Sequence, residues 1–427
     1  MEKITIREGS PIKGIIRVPA DKSISHRALI LNALSKGKTE IENLLEAEDI
    51  LRTVEILKSL GVEVHKDGKC WKVNGKGWEG LKEPQDILDA GNSGTTARLI
   101  LGVLSSLPFF SVLTGDNSLR RRPMRRVVEP LRMMGASLWG REEGNYLPIA
   151  VKGGNLKPIH YALPIASAQV KSALILAALH TEGTSIIEEP LPSRDHTERM
   201  VNFLEGKVER EGKMLKVKGI QSWKGKSMHI PGDISSAAYF ISLALLKKGS
   251  QLIVEDVGLN PTRMGFLHLL KEMGGEISWE IEEKEWEPRG KIEVKSSPLK
   301  SITVDREKIP LLIDEVPLLA VLATQAEGTT VIKGAEELRV KESDRISTIC
   351  ENLKKMGAKV EEREDGMIIE GPTPLKGAKV KSFGDHRVAM SMAVAGWIAR
   401  GETVIEDYEC VNISFPSFFD ALFSLKK

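Results

Sequence analysis

A mixed α/β protein of two domains, built from six copies of one small unit, is the architecture this sequence predicts. Three observations carry that reading. A polar cluster followed by an apolar helix-like run recurs six times. A turn and a β-branched stretch close most copies, and a second, amphipathic helix sits inside each unit.

The copies open at Lys22-Ser23-Ile24-Ser25-His26-Arg27, Asn92-Ser93-Gly94-Thr95-Thr96, Ser167-Ala168-Gln169-Val170-Lys171, Asp233-Ile234-Ser235-Ser236, Ile313-Asp314-Glu315 and Asp385-His386-Arg387. Five of the apolar runs end in a Gly-led turn, at Gly37, Gly183, Gly249, Gly328 and Gly401. The period of roughly 70 residues exceeds the ~20–50 of stacked solenoids, so each copy is a small subdomain of several elements. Helix N-termini present backbone N–H groups and the positive end of the dipole. Six of them, starting with Lys, Arg, Asp, Ser and His, suit a heavily anionic substrate.

The second helix is read from Glu48 to Leu60, Met124 to Met134, Thr197 to Leu204, Thr262 to Met273 and Ser343 to Met356. Its apolar residues fall at helical spacing, as in Val54, Leu57 and Leu60 or Ile346, Ile349, Leu353 and Met356, so one face is buried. A Gly follows each stripe as a stop signal, at Gly61, Gly135, Gly206, Gly274 and Gly357. Strand-like residues come next (Val62-Glu63-Val64, Lys359-Val360-Glu361). Each unit therefore reads as helix, strand, helix, strand and hairpin, and the sixth copy begins its second helix at Phe415-Pro416.

A chain of 427 residues exceeds one ordinary core, and six units divide into three and three. The boundary then lies near His229-Ile230-Pro231-Gly232. Alternating strand residues in the first 19 positions suggest that this segment completes the later domain. The expected division is 1–19 with 229–427, and 20–228 inserted between them.

A net charge of +2 leaves no electrostatic footprint for nucleic acid. The basic run Arg120-Arg121-Arg122-Pro123-Met124-Arg125-Arg126 has no interleaved aromatics, which argues against a single-strand stacking platform. Cys70, Cys350 and Cys410 have no spacing suited to a metal or redox pair, and a reducing cytoplasm is expected. No signal peptide, membrane span, phosphate-cradling P-loop, dinucleotide fingerprint, zinc-hydrolase motif or nucleophile elbow is present. The remaining chemistry is that of small polyanions with proton transfer.

Asp21-Lys22-Ser23-Ile24-Ser25-His26-Arg27, Gly91-Asn92-Ser93-Gly94-Thr95, Leu113-Thr114-Gly115-Asp116 with Arg122-Pro123-Met124, Leu338 to Arg345, and Gly384 to Met390 together resemble the 5-enolpyruvylshikimate-3-phosphate synthase family over essentially the whole chain. The resemblance implies an inside-out α/β barrel in each of two domains, three βαβαββ units apiece, with helices inside, sheets outside and the active site in the interdomain cleft. It implies transfer of the enolpyruvyl group of phosphoenolpyruvate to the 5-hydroxyl of shikimate 3-phosphate. That reaction proceeds by addition and elimination, in a monomeric cytoplasmic enzyme with no cofactor and no metal.

Residue by residue, the resemblance places Lys22, Asp314, Glu342 and His386 in catalysis. Shikimate 3-phosphate would meet Lys22, Ser23, Arg27, Ser167, Ala168, Gln169, Ser193, Asp314 and Lys341. Phosphoenolpyruvate would meet Lys22, Gly94, Arg122, Gln169, Arg345, His386 and Arg387, and the Gly94 loop would also take glyphosate. Asp314 is the expected general base, although an Asp at that point also suits a helix cap. The chain departs from many relatives at Ala168 (a second Ser), at His196 (near a Tyr), at Ile413 (a Lys) and at Glu337 (an Asn in some). The sister family acting on UDP-N-acetylglucosamine is the alternative. Its Lys-Asn motif is replaced here by Lys22-Ser23, and no Cys lies between residues 71 and 349.

Overall fold

The computed structural model describes residues 2–425. Contacts divide the chain into two compact units, Met1–Pro19 with Pro231–Lys427, and Ala20–Ile230. The strand Met228–His229 pairs in parallel with Lys36–Glu42, His229 opposite Glu42. The break therefore falls after Ile230, two residues beyond the expected boundary at 228/229.

Each unit has apolar helices at its centre and sheets outside, an inside-out barrel. Lys22–Ala33, Gly94–Ser105 and Ala168–Leu179 are the central helices of one unit. Ile234–Leu246, Val316–Ala323 and His386–Ile398 are those of the other. They are buried almost all round because their small and aliphatic residues leave no polar stripe to face water. The second helices, such as Glu48–Ser59 and Arg345–Lys355, are amphipathic and cover the flanks.

Among the described residues, five sheets have four strands and one has three. The sheet Leu88–Asp89, Phe110–Thr114, Tyr146–Lys152, Ser137–Gly140 is typical. Its first two strands run parallel around a central helix, and the rest is antiparallel hairpin. The N-terminal segment serves two sheets of its unit. Lys13–Arg17 lies parallel to Gln251–Gly258 as the opening strand of the fourth copy. Lys3–Arg7 lies antiparallel to Glu402–Glu406 and takes the place of the hairpin that the sixth copy lacks.

Side chains cap five of the six central helices. Asp21, Ser93, Ser167, Asp233 and Asp385 each accept a backbone N–H from the first turn. The five turn glycines, Gly37, Gly183, Gly249, Gly328 and Gly401, all have positive φ, which an L side chain resists. One stop signal works differently from expectation. Glu205 (φ 68°), not Gly206, takes the left-handed conformation after the third amphipathic helix. Gly206 answers to packing instead, since a Cβ there would lie 2.6 Å from Val201 Cγ1.

Candidate active site

Cations stand at and near the starts of the central helices of the Ala20–Ile230 unit, among hydroxyl, amide and carbonyl groups. Lys22 opens its helix and pairs with Asp49 (Nζ–Oδ2 3.1 Å). Arg27 is buried, with Nε donating to Thr197 Oγ1 at 2.7 Å, Nη2 to Ser172 Oγ at 2.8 Å and Nη1 to the Ser23 carbonyl at 2.8 Å. Arg194 Nη1 reaches Ser23 Oγ at 3.5 Å. Asp49 ties this group to the next copy, because its carbonyl accepts from Thr96 Oγ1 at 3.4 Å.

Gly94 begins the second central helix between two guanidinium groups. A Cβ there would lie 2.7 Å from Arg98 Nη1 and 3.5 Å from Arg122 Nη1. Arg98 Nη1 donates to Gln169 Oε1 at 2.7 Å, and Gln169 Nε2 donates to Thr95 Oγ1 at 3.0 Å. Arg122 is buried and donates to Asn92 Oδ1 and, at 3.2 Å, to Ser118 Oγ. Ser167 caps the third helix, so Ala168 and Gln169 occupy its first turn, where backbone N–H groups point outward. Ser193 is buried, and its hydroxyl donates to Glu189.

His26 lies inside this unit on a run of hydroxyls. Its Nδ1 contacts Thr53 Oγ1 at 2.8 Å, Thr53 contacts Thr96 Oγ1 at 2.7 Å, and Thr96 donates to Ser93 Oγ at 2.7 Å. Burial, with Lys22 and Arg27 nearby, holds the imidazole well below its ordinary value, so it is neutral.

The other unit surrounds its cations with carboxylates. Arg345 is buried at the start of its helix, with Nε on Asp385 Oδ2 at 2.8 Å, Nη2 on Glu342 Oε2 at 2.6 Å and Nη1 on Asp314 Oδ1 at 3.2 Å. Burial opposes its charge, but Asp385, Glu342 and Asp314 outweigh that and hold the guanidinium well above its usual value. Asp314 sits in the turn Ile313–Glu315, and Glu315, the N-cap of the helix that follows, makes no side-chain cap.

Lys341 is partly buried and lies 3.5 Å from Glu337. Lost hydration pushes its ammonium below the ordinary lysine value, although Glu337 and Asp314 pull the other way. His386 and Arg387, both buried, form the first turn of the last central helix. Burial works against the Arg387 charge, yet Tyr239, Asp314, Asp233 and Glu315 outweigh it and raise its value further. Arg387 Nε has no hydrogen-bond partner among the described residues, an opening for an anion. Tyr239 hydrogen-bonds Arg387, and burial raises the phenol to about 12.

Sequence reasoning did not single out Arg98, Arg194, Asp49 or Arg263. Arg263 is buried against Ser235 Oγ (2.7 Å) and Asp233 Oδ1 (3.3 Å) at the fourth central helix. Arg98 lies one turn past the Gly94 motif and Arg194 directly follows Ser193, so proximity to named residues was the available signal. Ile413 is half-buried in the turn Tyr408–Ile413 and brings no cation.

The family model described as EPSP synthase (3-phosphoshikimate 1-carboxyvinyltransferase) matches residues 6–422. The chain belongs to the EPSP synthase family. A 3-phosphoshikimate 1-carboxyvinyltransferase of Bacillus thuringiensis (strain Al Hakam) is 49% identical over 427 residues and covers 100% of both chains. One from Bacillus cytotoxicus is 48% identical over 421 residues, 98% of this chain and 99% of the relative. The EPSP synthase structure from Acinetobacter baumannii superposes with a TM-score of 0.88 at 41% identity, covering 100% of this chain and 98% of that one. The enolpyruvyl transferase NikO of Streptomyces tendae shares the fold, with a TM-score of 0.80 at 16% identity over 99% of this chain and 97% of its own. Family membership accounts for the six-copy fold and places the chain among enzymes of this transferase class. Among the described residues, no helix is long and apolar enough to cross a membrane.

Proposed function

We propose that the chain transfers the enolpyruvyl group of phosphoenolpyruvate to the 5-hydroxyl of shikimate 3-phosphate, releasing phosphate, as a monomeric cytoplasmic enzyme. In this reading groups from both units act on one pair of substrates. The observation that carries it is the Arg345 cluster, which puts a candidate base, Asp314, and a candidate acid, Glu342, on one buried guanidinium.

Lys22, Ser23, Arg27 and Gln169 hold shikimate 3-phosphate in this account, with the N-cap Ser167 and the first-turn amide of Ala168 facing its phosphate. Ser193 joins them if its hydroxyl turns from Glu189. Gly94, Arg122 and Lys22 receive the phosphate of phosphoenolpyruvate. Arg387 and Arg345 take its carboxylate, for which a guanidinium fork is better suited than an ammonium. Asp314 removes the proton of the 5-hydroxyl while Lys341 orients the ring, and the oxygen adds to C2. Glu342 or Lys22 delivers a proton to C3. The C2–O bond to phosphate then breaks, C3 returns its proton, and His386 assists the departing phosphate. Atoms balance without a metal or organic cofactor.

The test is phosphate release from phosphoenolpyruvate with shikimate 3-phosphate and, separately, with UDP-N-acetylglucosamine. Release only with the shikimate ester, with an enolpyruvyl ether as product, supports the reading. Release only with the nucleotide sugar transfers the same chemistry to the other acceptor, and release with neither refutes it.

A further inference from the structure

The third central helix carries a charge where its counterparts carry none. Four residues past the cap, the other side-chain-capped helices place Ser25, Ala97, Ala237 and Ala389, all fully buried. The same position here is Lys171, also with no exposed surface. Its ammonium contacts Glu189 Oε1 at 3.1 Å, Glu198 Oε1 at 2.8 Å and the Ser193 carbonyl at 3.3 Å. Arg210 Nη2 closes the group from the hairpin, 2.5 Å from Glu189 Oε2 and 3.4 Å from Glu198 Oε1. Two cations and two carboxylates leave it neutral.

Stability gives little reason for such a group. Buried ion pairs seldom outperform apolar packing, because desolvation offsets their attraction. What the network does accomplish is local. Lys171 holds the Ser193 carbonyl while Glu189 holds the Ser193 hydroxyl, so both ends of that residue are fixed. Arg194 follows directly and reaches Ser23 Oγ.

We infer that Lys171 is a positioning residue that sets the Ser193-Arg194 segment for shikimate 3-phosphate, with Glu189 and Glu198 as its counter-charges. The inference rests on the function proposed above. It requires that loss of Lys171 weaken the shikimate ester and spare phosphoenolpyruvate, whose candidate contacts do not include Ser193 or Arg194.

The experiment compares the parent chain with Lys171→Met and with the charge-balanced double variant Lys171→Met/Glu198→Gln, recording Tm, kcat and both KM values. The KM for shikimate 3-phosphate is expected to rise about tenfold in both variants, as for one lost hydrogen bond to a charged group, with that for phosphoenolpyruvate within about twofold. The double variant should regain the Tm that the single one loses, yet not the affinity. Recovery of both together, an equal rise in both KM values, or a double variant that cannot fold would make the network purely structural and overturn the inference. A parent that releases no phosphate with the shikimate ester refutes the underlying function instead, so the two failures are distinct.

Discussion

The two units repeat one fold three times each but differ in the partners of the arginines at their helix starts. In Ala20–Ile230 three arginines near the helix starts hydrogen-bond hydroxyls and amides, Arg27 with Thr197 and Ser172, Arg122 with Asn92 and Ser118, Arg98 with Gln169, while Lys171 and Arg210 pair with Glu189 and Glu198. A neutral partner fixes a guanidinium without cancelling its charge. In the other unit Arg345 faces Asp314, Glu342 and Asp385, and Lys341 faces Glu337. Carboxylates cancel that charge and supply sites where protons can be taken or given. Under the function proposed above the difference is a division of labour, with shikimate 3-phosphate held mainly by the first unit and the proton-transferring carboxylates Asp314 and Glu342 supplied by the second.

The sharpest way to break this contrast is at the candidate base. Asp314→Asn should lower kcat by roughly 10²–10⁴-fold, the usual contribution of a general acid or base. Turnover close to the parent's would move proton transfer away from this unit. In Ala20–Ile230, Arg27→Gln should raise the KM for shikimate 3-phosphate by about 30-fold, as expected for lost charge-assisted hydrogen bonds. A fall in kcat with KM unchanged would contradict a binding role.

Gly94→Ala tests how tightly the start of the second central helix is built. The added Cβ would press on Arg98 Nη1 at 2.7 Å and approach Arg122 at 3.5 Å, disturbing phosphoenolpyruvate before the shikimate ester. A rise of about tenfold in KM for phosphoenolpyruvate alone is expected, roughly 1.4 kcal/mol. Equal effects on both substrates would mean that the loop serves both.

The smallest effect concerns stability. His26 is neutral when folded, and its value is depressed below the ~6.5 of an unfolded chain. Its contribution is therefore complete above that pH. Below it the unfolded chain binds a proton that the folded one refuses, and stability falls by up to about 1.4 kcal/mol per pH unit from this group. Urea unfolding of His26→Gln between pH 7 and pH 5 should show a shallower loss than the parent. Parallel curves would assign acid sensitivity to other groups.

Much of this was legible in the chain because it is locally encoded. Polar clusters such as Lys22–Arg27, Asn92–Thr96 and Asp385–Arg387 announce the central helices within a few residues, and stripes such as Ile346, Ile349 and Leu353 announce the flanking ones. Long-range pairing was not legible. Nothing near Met228 signals that it lies beside Ile41, and the spacing of Asp314, Glu342 and Asp385 does not reveal that one guanidinium joins them. Lys171 reads as an ordinary residue in an apolar helix until the fold brings Glu189 and Glu198 to it. Ser193 shows the same limit, since its motif suggests a presented hydroxyl and the fold turns that hydroxyl to Glu189.

The most direct test of the division of labour is calorimetric titration of shikimate 3-phosphate into Arg27→Gln and Asp314→Asn side by side. The account predicts binding weakened by about 30-fold in the first and within about threefold of the parent in the second. Loss of binding in Asp314→Asn with retention in Arg27→Gln would contradict it.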